Sequence, residues 1–250
     1  MKIIITIPAH NEANDIEKTI GGIRQAMDKT AYACSVFVCD DGSTDETAVI
    51  AAKFANAVYT SKQKQGLART FQEEMTRCLQ AGADIIVHTD ADGQYPSEDI
   101  PLLIEKIEQG HDLVIGSRFL NGIQYGGSRL KAAGNILFSR LMSALSGRRI
   151  TDATSGFRAM NRKTAAAIKI RSKFTYTYDQ YLQAIENKLD IIEIPIQGSS
   201  TRRSRLMKNV FDYTLKALWD VLVTFRRKPS RNRGEGLVGK DKPERRAERS

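Results

Sequence analysis

A chain of 250 residues with 41% hydrophobic content and a formal net charge of +9 has enough apolar material for one generous core. No run approaches the ~18–20 apolar residues of a membrane-spanning helix, and "MKIIITIP" enters a strand with no signal-peptide pattern. Three cysteines make no disulfide framework, and His10, His88 and His111 share no metal-ligand spacing, which excludes a disulfide scaffold and a histidine metal centre.

Strand and helix patterns alternate from the first residue. Strands are expected at "KIIITI", "CSVFVCD", "AVYT", "ADIIVHT" and "HDLVIGS". Helices are expected from Asn14 to Asp28, across "STDETAVIAAKFA" with Ser43 or Thr44 as N-cap, from Leu67 to Ala81, and across "SEDIPLLIEKIEQG". Cys34 and Cys39 then face opposite sides of one strand, Cys78 lies on a helix, and all three read as free thiols. His88 and His111 read as packing or surface residues, and Gly21-Gly22 as a packing pair inside a helix.

This alternation specifies an α/β fold with a Rossmann-like, mostly parallel sheet and helices on both faces. Ligands of such sheets bind beyond the carboxyl ends of the strands. Those ends carry "PAHNE", "DDGSTDE", "DADGQ" and "GSR". Asp90 and Asp92 stand one residue apart, and on an extended chain both point to the same side. Two such charges repel unless a cation sits between them, and an oxygen-only set suits Mg²⁺ or Mn²⁺ completed by substrate phosphates. There is no Walker A sequence and no Gly-x-Gly-x-x-Gly closing the first strand, which argues against a P-loop enzyme and a standard dinucleotide oxidoreductase.

Arginines supply the chemistry of anions. Arg118 ends the fifth strand at the same edge. Arg129 opens a helix at "GGSRLKAAGN", where N-terminal amides also favour phosphate. The run "TRRSRLMK" adds Arg202, Arg203 and Arg205.

In this order, "IPAHNE", "VCDDGSTDET", "QGLART", "DADGQYPSEDIP", "VIGSRF" and "DATSGFRAMNRK" resemble family-2 glycosyltransferases of the GT-A fold. The branch they resemble moves a hexose from a nucleoside-diphosphate sugar to dolichyl or another polyprenyl phosphate. The resemblance spans roughly residues 3 to 163, more loosely to 206. It implies that Pro8, His10, Glu12, Asp40, Asp41 and Gly66 border the nucleotide, with Asp90 and Ala91 beside it. His10 stands where the family often has an aromatic residue. Asp90 and Asp92, helped by Gln94, would hold Mg²⁺ or Mn²⁺, and Arg118, Arg129, Arg202 and Arg205 would meet donor or acceptor phosphate. The family often carries Gly-x-Ser-Lys where this chain has "RRSR".

The implied reaction inverts the anomeric carbon by in-line attack. A phosphate monoester, with a second pKa of about 6, is already ionised at neutral pH and needs little help from a base. A hydroxyl acceptor needs one. Asp152 and Asp179 are the carboxylates on offer as that base, and each also reads as a structural cap or brace.

The chain divides into a catalytic unit over 1–206, an amphipathic helix over 207–228 and a basic tail over 229–250. Phe211, Leu215, Leu218, Trp219 and Leu222 recur at helical spacing, as expected of a membrane-interfacial helix or of one packed on protein. From Arg226 onward ten Lys/Arg face four Asp/Glu, a balance of +6 that leaves +3 for the remainder. Peripheral attachment to the cytoplasmic membrane face, or a separate membrane partner, is expected, and nucleic acid is not. The alternatives are the same chemistry on a soluble hydroxyl or growing glycan, and a non-catalytic module that binds nucleotide sugar.

Overall fold

Isoleucines in the first strand alternate between two cores. Ile3, Ile5 and Ile7 pack with Ile16, Ile20, Ile104 and Ile107 on one side, while Ile4 packs with Phe71, Met75 and Ile86 on the other. A strand buried on both faces reads as a continuous apolar run, and this one has a parallel neighbour on each side.

The computed structural model describes residues 1–123, 129–173 and 175–197. The expected helix over 207–228, the tail, and Arg202, Arg203 and Arg205 lie outside the described residues. Seven strands form one sheet: β1 (Ile3–Ala9), β2 (Cys34–Asp40), β3 (Ala57–Thr60), β4 (Ile85–His88), β5 (Leu113–Ser117), β6 (Arg158–Asn161) and β7 (Ile191–Pro195). Their order is β3-β2-β1-β4-β6-β5-β7, and only β6 runs antiparallel to its neighbours. Helix α1 (Ile16–Met27) adjoins both α2 (Thr47–Phe54) and α4 (Ile100–Glu108), with α1 and α4 packing on one face. Helices α3 (Leu67–Gln80), α5 (Arg129–Ser146), α6 (Arg162–Ala167) and α7 (Thr177–Glu186) contribute to the core on the other.

Two boundaries differ from expectation for local reasons. Helix α2 begins at Thr47 rather than at Ser43 or Thr44, because the Asp45 carboxylate accepts the Thr47 amide at 3.0 Å and Ser43 turns back to Asp40. Strand β4 stops at His88, so Asp90 and Asp92 sit in the turn after it, not on an extended strand. Gly93, at φ +68°, takes the left-handed conformation that this turn requires. Cys34, Cys39 and Cys78 are free, as read.

Candidate active site

The carboxyl ends of β1 and β2 meet in a loop pair built from short polar side chains. Asn11, in the left-handed region at φ +57°, donates its backbone amide to the Ser43 hydroxyl oxygen (2.9 Å) and accepts the Thr44 amide at its side chain (2.8 Å). The Glu12 amide donates to Thr47 Oγ1 at 2.8 Å, and His10 Nδ1 donates to the Asp41 carbonyl at 2.9 Å. Asp40 and Asp41 are buried. Asp40 accepts from the amide and hydroxyl of Ser43. Asp41 accepts the Gln65 amide at 2.6 Å and the Gly66 amide at 2.9 Å, which ties the loop before α3 to β2. A carboxylate has about four acceptor positions, so these bonds leave Asp41 capacity for ligand hydrogens. Gly42, at φ +65°, passes so close to this loop that a Cβ would lie 2.6 Å from the Gln63 carbonyl carbon. Gly66, at φ +94°, has nothing within 4 Å of the corresponding position, so its face is open.

Next along the edge lies the turn after β4. Thr19 of α1 donates its hydroxyl to the Ala91 carbonyl at 2.8 Å, pinning the middle of the Asp-Ala-Asp triplet. Asp92 accepts from Gln94 twice, at the amide (3.1 Å) and at Nε2 (2.6 Å). Gln94 thus orients Asp92. Asp90 faces Gly156, where a Cβ would stand 3.1 Å from one carboxylate oxygen and 3.2 Å from the other. Burial, and then the neighbouring Asp92 carboxylate, push the Asp90 pKa up to about 6. Two carboxylates so placed, one of them reluctant to ionise, form a site short of positive charge. Hard oxygen donors in that condition fit a divalent cation of the Mg²⁺ or Mn²⁺ type. Among the described residues no cluster of three or more His, Cys, Asp and Glu side chains is assembled for a metal, so substrate oxygens would complete such a site.

Beneath Asp90 is a layer that the sequence pattern does not reveal. His88 is fully buried; its Nδ1 donates to the Gly156 carbonyl at 2.8 Å, and Nε2 lies 3.2 Å from Glu74. Glu74 also accepts the Thr6 hydroxyl at 2.9 Å. Burial opposes a charge on His88, but the Glu74 carboxylate, aided by Asp90 and the Gly156 carbonyl, outweighs it and raises the pKa. Tyr176 stacks on Phe71 with centroids 4.0 Å apart and brings its hydroxyl 3.1 Å from His88 Nδ1. The Tyr95 hydroxyl accepts the Gly156 amide at 2.8 Å. His88 is therefore a packing residue, as expected, but one that backs the carboxylate pair.

The last part of the edge follows β5. Arg118 is almost wholly buried, and Asp152 is completely so. The Arg118 guanidinium grips Asp152 through Nε (2.7 Å) and Nη2 (2.9 Å), and Nη2 also reaches Thr154 at 3.0 Å. Asp152 is thereby a brace for the 151–156 loop, and the guanidinium expected to face phosphate is engaged by it. Glu193 holds the same loop by accepting the Thr151 amide at 3.0 Å. Arg158 lies inside, donating to Ser155, Thr177 and Gln180 at 2.8, 2.7 and 2.8 Å. Asp179 accepts from the amides of Arg171 and Ser172 and from the Arg171 guanidinium, which is again a bracing role. Arg129 is the first residue of α5 and is exposed. The edge thus brings Pro8, His10, Glu12, Asp40, Asp41, Gly66, Asp90, Ala91, Asp92, Gln94 and Arg118 onto adjoining strand ends and loops.

A Rossmann-like sheet with a paired-carboxylate turn at its centre defines a glycosyltransferase of the GT-A fold. Residues 4–168 match the model described as glycosyl transferase family 2, and the chain belongs to that family. A "Dolichyl-phosphate hexose transferase" of Haloferax volcanii is 30% identical over 194 residues, covering 78% of this chain and 81% of the relative. An "Undecaprenyl-phosphate mannosyltransferase" of Micrococcus luteus is 32% identical over 210 residues, covering 78% of this chain and 83% of the relative. Among solved structures, glucosyl-3-phosphoglycerate synthase from Mycobacterium tuberculosis in complex with Mn²⁺, UDP and phosphoglyceric acid superposes with a TM-score of 0.70. It is 20% identical and covers 89% of this chain and 78% of its own, a likeness of fold alone.

Proposed function

We propose that this chain transfers a hexose from a nucleoside-diphosphate sugar to a polyprenyl phosphate, with residues 1–206 as the catalytic unit. The observation that carries the reading is the Asp90/Asp92 turn, set between the β1–β2 loops and the Arg118-braced loop. The names of the relatives support a lipid phosphate as acceptor. The bracing of Asp152 and Asp179 supports it too: the two carboxylates offered as general bases have oxygens committed to Arg118 and to the 171–172 segment. An ionised phosphate monoester needs no such base.

In this reading Pro8, His10, Glu12, Asp40, Asp41 and Gly66 border the nucleoside, and Asp90 and Asp92 hold Mg²⁺ or Mn²⁺ with Gln94 fixing Asp92. Such a cation, when bound, offsets the diphosphate charge and stabilises the leaving group. The acceptor phosphate oxygen forms its bond to the anomeric carbon as the bond to the diphosphate oxygen breaks. The electron pair leaves with the nucleoside diphosphate, and the configuration inverts. Arg118 keeps the 151–156 loop against the reacting edge, while exposed Arg129 meets phosphate, joined by Arg202 and Arg205. The protein works at a membrane surface.

The test is transfer of label from GDP-mannose and UDP-glucose to undecaprenyl or dolichyl phosphate, read as organic-extractable product. We expect label with Mg²⁺ or Mn²⁺, its loss with chelator, and a fall of about 10²–10³-fold in Asp92→Asn. Label in soluble phosphorylated or hydroxyl acceptors alone would move the reading to those acceptors. Tight nucleotide-sugar binding that ignores metal, with no turnover, would make the chain a binding module.

A further inference from the structure

Asp90 and Asp92 are held by different means. Asp92 accepts two hydrogen bonds from Gln94, whereas among the described residues none donates to the Asp90 carboxylate. Asp90 rests instead against the backbone of Gly156. A Cβ there would stand 3.1 and 3.2 Å from its two oxygens and 3.0 Å from the Tyr176 hydroxyl. Gly156 lies outside the left-handed region, so its backbone conformation is open to other residues. The space demands glycine, and what fills that space is the carboxylate.

Gly156 is itself fixed at both ends of its peptide units. Its amide donates to the Tyr95 hydroxyl at 2.8 Å, and Tyr95 stacks on Phe157 with centroids 5.3 Å apart. Its carbonyl accepts His88 Nδ1 at 2.8 Å and the Tyr176 hydroxyl at 3.4 Å. Behind both donors stands helix α3: Phe71 stacks on Tyr176, and Glu74 faces His88. His88 Nε2 and Glu74 Oε2 are buried 3.2 Å apart, and neither has another partner among the described residues. Nδ1 gives its hydrogen to Gly156, so one further proton must lie between Nε2 and Oε2, because two bare lone pairs at that distance repel. The other Glu74 oxygen accepts the Thr6 hydroxyl at 2.9 Å, which ties the carboxylate to β1. Burying two such groups costs stability that an apolar pair would not. What the pair secures is the direction of the histidine ring.

We propose that Gly156 is a shelf that sets the position of Asp90, and that Glu74, acting through His88, is the positioning residue that holds the shelf. This deepens the reading under Proposed function and rests on it for its purpose. A metal-binding carboxylate with no hydrogen bonds of its own needs its place fixed by the residues around it.

The experiment compares Gly156→Ala, Glu74→Leu and Glu74→Gln, with Glu73→Gln, the partly exposed neighbour paired with Arg77, as control. Two quantities are read. One is Mn²⁺ affinity in the presence of UDP or GDP, from the free Mn²⁺ signal in electron paramagnetic resonance. The other is hydrogen exchange at the amides of residues 89–95. Gly156→Ala displaces Asp90 and should weaken Mn²⁺ binding about 10–100-fold. Glu74→Leu frees the histidine ring and should weaken binding in the same sense, with exchange at 89–95 faster than any change in global stability explains. In Glu74→Gln the new amide can donate to Nε2 and its oxygen can accept from Thr6, so the ring keeps its direction and the net charge of the pair is unchanged. Affinity should return close to wild type there, and Glu73→Gln should change nothing. In turnover at saturating Mn²⁺, Gly156→Ala should lower kcat and leave the donor KM near wild type, because the β1–β2 loops are untouched. A role in stability alone would leave the Mn²⁺ affinity of folded protein as it is.

Wild-type Mn²⁺ affinity in Gly156→Ala overturns the proposal. So does an equal loss in Glu74→Gln and Glu74→Leu, which would make charge rather than direction the operative property. If Glu74→Leu fails to fold by circular dichroism, Tyr95→Phe takes the acceptor from the Gly156 amide and carries the same expectation and the same reversal. If wild type binds no Mn²⁺ and transfers no sugar, the functional reading falls and exchange at 89–95 decides the shelf alone. Faster exchange in Gly156→Ala and Glu74→Leu then keeps the shelf, and unchanged exchange removes it.

Discussion

The β1–β2 end of the site and the β5 end hold their buried carboxylates by opposite means. Asp40 and Asp41 rest on neutral donors, the Ser43 hydroxyl and the amides of Ser43, Gln65 and Gly66. Asp152 rests on a guanidinium, and Arg158 nearby is closed in by carbonyls and Gln180. Neutral donors steady a carboxylate without cancelling its charge, so that end remains able to receive a ligand's hydrogens. An ion pair cancels charge and locks geometry, so the other end is braced as scaffolding. The two ends should therefore fail differently.

The largest effect belongs to the ion pair. Asp152→Ala leaves Arg118 charged and buried, and should cost about 3–5 kcal/mol of stability by chemical denaturation. Arg118→Met with Asp152→Leu should recover much of that, because the orphaned charge goes too. A single-variant loss below about 1 kcal/mol would mean that Arg118 swings to solvent, and that this end is no more rigid than the other.

At the β1–β2 end the constraint is backbone proximity. Gly42→Ala adds a Cβ 2.6 Å from the Gln63 carbonyl carbon and 2.8 Å from the Lys64 nitrogen, in a left-handed conformation. We expect a loss of about 2–3 kcal/mol and a raised KM for the donor, because the loop that Asp41 holds must move. Gly66→Ala meets nothing within 4 Å, so its cost should be the backbone term alone, about 1–2 kcal/mol. Equal losses would show that close approach at Gly42 is relieved elsewhere and that the loop does not depend on it.

The same contrast governs what could be read from the sequence. The first five strands and the four helices among them were legible because parallel strands buried on both faces are apolar runs, and because site residues fall at their ends. The Asp-Ala-Asp triplet was legible as a pair but not as a turn, since Gly93 and the Thr19 bond end the strand at His88. Strand β6 was not foreseen. "RAMN" places an arginine at a fully buried position, which breaks the strand pattern, and its partners Thr177 and Gln180 lie on a distant helix. Helix α7 buries Asp179, Gln180 and Gln183 and so lacks a polar face to mark it. Glu74 with His88 and Arg118 with Asp152 join positions far apart in the chain, and nothing local announces either pair. The bond from Arg118 to Asp152 is likewise invisible until the loop is closed.

The smallest effect tests the carboxylate between the two ends. Asp90 has its pKa raised from 3.8 to about 6 by burial and then by Asp92. Between those values the folded protein binds a proton that the unfolded chain does not, so folding stability falls as pH rises through that window and levels off above about 6. Asp90→Asn removes the penalty. We expect the metal-free variant to gain about 1 kcal/mol at pH 8, less than the full shift would give because part of the side chain touches solvent, and to gain nothing at pH 4. Thermal melts at the two pH values read it directly. Because Asp90 also helps to raise the His88 pKa, the difference between the melts reads the carboxylate together with its effect on the histidine beneath it. In wild type, Mn²⁺ should raise the melting temperature above pH 6 and lose that effect below it, as protons displace the cation; in Asp90→Asn the effect should be weak throughout. If Asp90→Asn instead melts lower at pH 8, the carboxylate is an anchor against Gly156 in the manner of Asp152. The division between a ligand-ready end and a scaffolding end would then have to move to include the centre of the site.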